Sequence, residues 1–222
     1  MKTLITLVLF IGVALHAHAQ GIVYFSYGAG IRVGDGLPIT ELPMDLDGNG
    51  TADFRFLGGN PLAGLGFTLE AQNQNKLLGY PTNPGDLAIS DYGARRLNLG
   101  AVVSSVPAAG SDWFGKKPNP NTSNVGLYLI SCFGDCGGDF ARANSMQTEG
   151  YVGVQFFAAD GLHYGWIRVR GGEYNDGRIL DYAYNTVPGQ GITAGAVPEP
   201  STWALLGLGL AALCLLRKRS SA

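Results

Sequence analysis

The sequence is poor in charge. Asp, Glu, Lys and Arg make up only 14 % of its 222 residues, while 46 % are hydrophobic. A disordered polyelectrolyte needs the reverse balance. Nor is there a basic excess: fifteen basic residues face seventeen acidic ones, for a formal net charge of −2. A chain that neutralises phosphates needs the opposite sign, so nucleic acid is excluded as a partner. No G-x-S-x-G elbow, no H-E-x-x-H and no P-loop occurs. Internal repeats are absent too. The length suits one well-filled domain and is short for two. What the chain has in excess is glycine, 34 residues, about twice the average usage. The glycines follow no three-residue period, which rules out collagen. Aperiodic glycine among many Tyr, Phe, Val and Ile residues predicts short strands joined by tight turns.

Both ends read as signals rather than as fold. Met1 and Lys2 precede an apolar stretch from Leu4 to Leu15, then Ala17-His18-Ala19 and Gln20. A charged start, an apolar core and a small-x-small site together predict a secretory signal peptide over residues 1–19, addressed to the Sec export machinery. At the other end Val197, Pro198, Glu199 and Pro200 precede Ser201 and Thr202, an apolar run from Trp203 to Leu216, and Arg217-Lys218-Arg219. The run is shorter than the roughly 20 residues of a full span. Trp203 at one interface and a snorkelling Arg217 at the other extend it, so a membrane helix over about 202–216 is expected. The basic cluster at 217–219 stays cytoplasmic by the positive-inside rule, leaving the intervening domain outside.

Pro-Glu-Pro, an apolar helix and an Arg-rich end, in that order at the C-terminus, resemble a PEP-CTERM sorting signal. The resemblance implies a Gram-negative exporter of extracellular polysaccharide. It also implies an exosortase, a membrane protease-transpeptidase, that recognises and removes the tail. It divides the chain into a signal peptide at 1–19, an ectodomain at 20–196 and a sorting signal at 197–222. Lys2, Arg217, Lys218 and Arg219 lie in the two ends, against Glu199 alone among the acids, so the ectodomain is more acidic than the whole chain.

The body reads as β. In 151–157 Val152, Val154 and Phe156 share one face. Asp160-Gly161 is a hairpin signal. The return strand, 163–170, puts Ile167 and Val169 on one face and Trp166, Arg168 and Arg170 on the other. Asn175-Asp176-Gly177 then turns the chain into a third strand at 178–184, completing an antiparallel meander. Further strands are expected at 22–27, 53–58, 65–71 and 125–131, with a short helix within 86–98. Long loops are expected at 80–86 and 107–124. A single antiparallel β-sandwich, jelly-roll-like, is the arrangement that buries so many two-faced strands. Asp-Phe-Arg-Phe at 53–56, Tyr-Gly-Trp-Ile at 164–167, Asp-Tyr-Ala-Tyr at 181–184 and the Pro188-Gly189 before the tail also resemble a recurring PEP-CTERM ectodomain, one that carries no activity over.

The sharpest chemical signal is Asp45-Leu46-Asp47-Gly48-Asn49-Gly50-Thr51-Ala52-Asp53. Oxygen-bearing side chains stand at positions 1, 3, 5 and 9, with glycine at position 6. Calcium takes six to eight oxygens, and alternate residues of a tight loop aim theirs at one centre. Asp45, Asp47, Asn49, the Thr51 carbonyl and Asp53 are the expected ligands. The spacing resembles the calcium loops of integrin-type propellers and thrombospondin-type repeats. It departs from the EF-hand, because position 12 is Phe56 and no helical pattern flanks it. The alternative is an ordinary Asp-Gly and Asn-Gly turn.

Cys132 and Cys136 enclose Phe-Gly-Asp. In an oxidising location they suit a disulfide. A metal site and a redox dithiol are the alternatives, but the first lacks further Cys or His ligands and the second favours C-x-x-C. His163, the body's one histidine, follows a turn, where an exposed structural role is expected over membership of a Ser-His-Asp triad. No strand carries the clustered carboxylates of a glycosidase. Trp113, Tyr164 and Trp166 are candidates for stacking on sugar rings, with sheet packing their commoner role. The expectation is therefore an exported, non-enzymatic protein with a structural or adhesive role in an extracellular polysaccharide layer. A carbohydrate-binding, lectin-like module is the first alternative and a secreted hydrolase the second.

Overall fold

The computed structural model describes residues 21–34, 40–59, 66–81, 92–116, 127–133, 135–141, 148–172 and 176–198. The expected signal peptide at 1–19, Glu199, Pro200, the expected membrane helix at about 202–216 and the basic end at 217–219 lie outside these residues. The chain divides into two units, one formed by Met1–Ile22 with Val197–Ala222 and the other by Val23–Ala196. The second unit is the β domain.

The described residues are all-β. The strands are β1 (Ile22–Val33), β2 (Thr40–Met44), β3 (Phe54–Gly58), β4 (Phe67–Ala71), β5 (Lys76–Pro81), β6 (Tyr92–Ala94), β7 (Val102–Val103), β8 (Asp112–Phe114), β9 (Leu127–Phe133), β10 (Asp135–Gly137), β11 (Glu149–Ala158), β12 (Gly161–Gly171), β13 (Gly177–Asn185) and β14 (Ile192–Thr193). One sheet runs β1-β13-β12-β11-β5-β6-β9-β4-β3-β2, with β10 beside β9 and β8 beside β5; β14 and β7 form a separate ribbon. The registered pairs are antiparallel except β6 with β9. No helix forms in 92–98: the segment holds β6 and an isolated bridge from Leu97 to Tyr151.

The meander is β11, β12 and β13. Ala158 pairs with Gly161, so the two-residue turn is Ala159-Asp160, one position earlier than the Asp-Gly signal suggests. The left-handed φ falls on Gly161 alone, at 143°. Alternation in the meander builds the core. Val152, Val154, Phe156, Ile167, Val169, Ile179 and Tyr182 join Phe54, Phe56, Phe67 and Leu69 of β3 and β4 in one buried cluster. The two halves of the strand path therefore share one core. At Gly177 they approach closely, since a Cβ there would collide with the Phe67 ring.

The opposite face of the meander is covered as well. Trp166 and Tyr164 take the sheet-packing role rather than that of accessible platforms, at 1 % and 3 % exposed. They pack with Tyr151 and Trp113, respectively. The covering segment includes Leu97, Val103, Ile192 and Ala194, all buried. Their sequence has no period that announces a packed layer. Arg168 and Arg170 lie further along this face, where Arg168 forms an ion pair with Asp181, its cross-strand partner.

The two ends of the large sheet are blunted. Edge strand β1 carries Gly28 and Gly30 at φ 62° and 84°, which break the flat row of backbone groups that strand addition needs. Edge strand β2 carries Pro43, which has no N–H, and Glu41, paired to Arg55.

Candidate functional site

The Asp45–Asp53 segment connects β2 to β3. Its tight spacing folds the side chains back onto their own backbone. Asp45 Oδ1 accepts from the N–H groups of Gly48 at 2.8 Å and Asn49 at 3.2 Å, and its Oδ2 accepts from Gly50 at 2.6 Å. Asp47 accepts from Asn49 N–H at 3.1 Å and from the Asn49 amide at 3.0 Å. Asn49 Oδ1 in turn accepts from Thr51 N–H at 2.7 Å. Gly48 and Gly50, at φ 75° and 87°, permit the turns. One carboxylate oxygen from each of Asp45, Asp47 and Asp53 lies within 4.8 Å of the others. The structure thus brings the three predicted carboxylates together.

Their electrostatics differ. Burial alone would raise the Asp45 carboxyl, but the Gly50, Gly48 and Asn49 N–H groups and Asp47 outweigh it and hold it below the ordinary carboxylate range. Asp53 is 4 % exposed. Burial pushes its carboxyl up, and the charges of Asp47 and Asp45 add to the push, against hydrogen bonds from Leu46 and Asn75. The Tyr182 hydroxyl is pushed up to about 12, chiefly by burial, with Tyr27, Tyr184 and the Asp45 and Asp53 charges contributing.

Asn75, which sequence reasoning missed, ties this loop to the meander. It is 3 % exposed. Its amide donates to Asp53 Oδ1 at 3.0 Å and to the Asp53 carbonyl at 3.2 Å, and its oxygen accepts from Phe157 N–H, 82 positions away, at 3.0 Å. It ends the run Gln72-Asn73-Gln74-Asn75, whose four consecutive amides between two strands were the available signal. Between this turn and the Asp loop lies a cleft of about 320 Å³, lined by Asn49, Thr51, Asp53, Asn73, Gln74, Asn75 and Phe157.

His163 is buried rather than exposed, at 2 %. Its Nδ1 lies 2.7 Å from the Asn185 carbonyl and its Nε2 2.8 Å from Asp160 Oδ1. The turn places Asp160 three residues before it, and the two bonds tie the hairpin to the end of β13. The hydrogen bond with His163 holds the Asp160 carboxyl below its ordinary range.

Cys132 and Cys136 fall on β9 and β10, where they are direct antiparallel Cα partners.

Residues 186–196 lead from β13 to the sorting signal. Gly189 N–H donates to Leu162, Gly100 N–H to Ala194, Ala194 N–H to Ala101, and Ala196 N–H to Thr193, at 2.7–3.0 Å. Val197 follows immediately and is 46 % exposed.

Compared with known families, residues 196–219 match the PEP-CTERM protein-sorting motif. No curated protein and no solved structure matches the chain. The chain carries the sorting motif of an exosortase substrate, at the position its Val-Pro-Glu-Pro and basic end indicate. The motif marks an exported protein, made as a membrane-anchored precursor and processed by an exosortase.

Proposed function

We propose that the protein is a non-enzymatic component of the cell surface or extracellular matrix. Its Sec signal exports it, its tail is removed by an exosortase, and its domain, a two-layer β-sandwich of jelly-roll type, serves a structural or adhesive role in an extracellular polysaccharide layer. The sorting motif at 196–219 is the observation that carries this reading. The core shared by both halves of the strand path supports the sandwich. The absence of catalytic motifs from the sequence, and the engagement of His163 with Asn185 and Asp160, support a non-enzymatic role. Calcium, held by Asp45, Asp47, Asn49, the Thr51 carbonyl and Asp53, is the proposed stabiliser of the β2–β3 loop. The spacing of oxygen-bearing residues along Asp45–Asp53 is what motivates it.

Intact-mass measurement of the native protein, from cells with and without the exosortase, tests the sorting half. The surface form should end near Val197–Pro200 in the first case and retain the tail in the second. Recovery of chains ending at Ala222 from both would leave only a membrane anchor.

A further inference from the structure

We propose that the cleft between the Asp45–Asp53 loop and the Gln72–Asn75 turn is a binding subsite for a neutral saccharide. Its volume, about 320 Å³, lies at the lower end of the range for small-molecule sites. The lining is neither a hydrophobic slot nor a charged one. Asn73 and Gln74 present carboxamides, each with donors and an acceptor, and Thr51 a hydroxyl, while the Asn49 amide is bonded to Asp47 and Thr51 N–H. Sugar hydroxyls are themselves both donors and acceptors, so this lining matches them group for group. Among the described residues no lysine or arginine lines the cleft, and phosphate, sulfate or carboxylate ligands need such partners. The one charge in the lining, Asp53, is already bonded to Leu46 N–H and Asn75.

Phe157 completes the chemistry. It is 49 % exposed at the end of a strand whose preceding five residues are buried. A half-exposed aromatic ring beside convergent polar groups offers a flat apolar surface to the C–H face of a sugar ring. The floor is pre-organised, because Asn75 and Asp53 are buried and bonded to each other and to two further backbone groups. A ligand entering it therefore pays little ordering entropy. Trp113, Tyr164 and Trp166 are not among its lining residues, and it does not depend on a bound ion, although it shares Asn49, Thr51 and Asp53 with the proposed calcium loop.

The test uses the full-length chain in mild detergent against immobilised neutral oligosaccharides of glucose, mannose, galactose and N-acetylglucosamine, with uronic-acid and sulfated oligosaccharides as the counter-set. Saturable binding to at least one neutral member is expected. It should weaken at least about tenfold, 1.4 kcal/mol, in Phe157→Ala, Gln74→Ala and Asn73→Gly. All three positions are exposed, and glycine at 73 keeps the left-handed turn (φ 54°) while deleting the amide. The wild-type melting temperature, retained, shows that each variant is folded. No binding to any neutral oligosaccharide, preference for the anionic set, or binding that survives all three variants overturns the proposal. Parallel melts in millimolar calcium and in chelator separate the two readings, since an unmoved melting temperature removes the ion and leaves the saccharide result standing.

Discussion

Replacing Asn75 probes the junction on which the loop, the turn and the meander all depend. In Asn75→Ala, Asp53 loses an amide donor and Phe157 N–H loses its acceptor. A hydrogen bond to a charged group contributes about 1.5–3 kcal/mol, and an unpaired buried donor costs about 1–3. The neighbouring cleft lets water recover part of this, so a net loss of about 3 kcal/mol is expected. For a chain of this size that corresponds to a fall of about 6–12 °C in melting temperature. Asn75→Asp is the sharper variant, because it sets a second carboxylate against Asp53, whose carboxyl burial already pushes up. One proton is then held in the folded state at a pH where the unfolded chain has released it. A folded pKa above the unfolded one means that stability is highest at low pH and falls as pH rises through the folded value. Asn75→Asp should therefore be less stable than Asn75→Ala at pH 7, and the gap should close as pH approaches 4. Thermal melts across pH 4–8 read both effects. A loss under about 0.5 kcal/mol in Asn75→Ala, the range of an ordinary surface change, or equal melting of the two variants at pH 7, would refute the reasoning.

Millimolar calcium at a hundredfold excess over Kd should stabilise the wild type by about 2.7 kcal/mol. Asp47→Ala should abolish that shift and Asp112→Ala should leave it intact; the same melting temperature in calcium and chelator would make the segment a turn only. Cys132 and Cys136, as direct cross-strand partners, fall within the Cα separations that a disulfide bridges. Alkylation of unreduced, tail-less protein should label neither, and reduction should cost about 2 kcal/mol for so short a loop; labelling of both would show free thiols. The Asp160 carboxyl, lowered by its hydrogen bond with His163, contributes stability that is present above the ordinary carboxylate range and lost as pH falls below about 4. Asp160→Asn should accordingly melt below the wild type at pH 6, with the gap narrowing as pH falls below about 4; a gap unchanged between pH 6 and pH 3 would contradict the assignment.

The meander was legible because its alternation is local: every second residue from Val152 to Phe156 reaches the core. So were the convergence of the Asp loop, which its spacing dictates, and the tail. What escaped depends on distant segments. Sheet packing was the favoured role for Trp166 and Tyr164, but the unpatterned stretches around Leu97, Val103 and Ile192 that cover their face were not legible. Asn75 looks like one more loop amide until Phe157 arrives from 82 positions away. His163 was misplaced because a turn-proximal histidine is ordinarily wet, and the Asn185 carbonyl that covers its Nδ1 lies at the far end of the next strand. β2 and β14 are too short, and β2 too interrupted by Pro43, to show any period.

The anchoring of Ala196 has a consequence for how the two parts of the chain can be varied. Its N–H still closes a bond to Thr193, and the sorting match begins at this same residue. Domain and motif therefore share one position in the sequence. Ala196→Pro, which removes that N–H, changes the last described hydrogen bond of the domain and the first residue of the motif together.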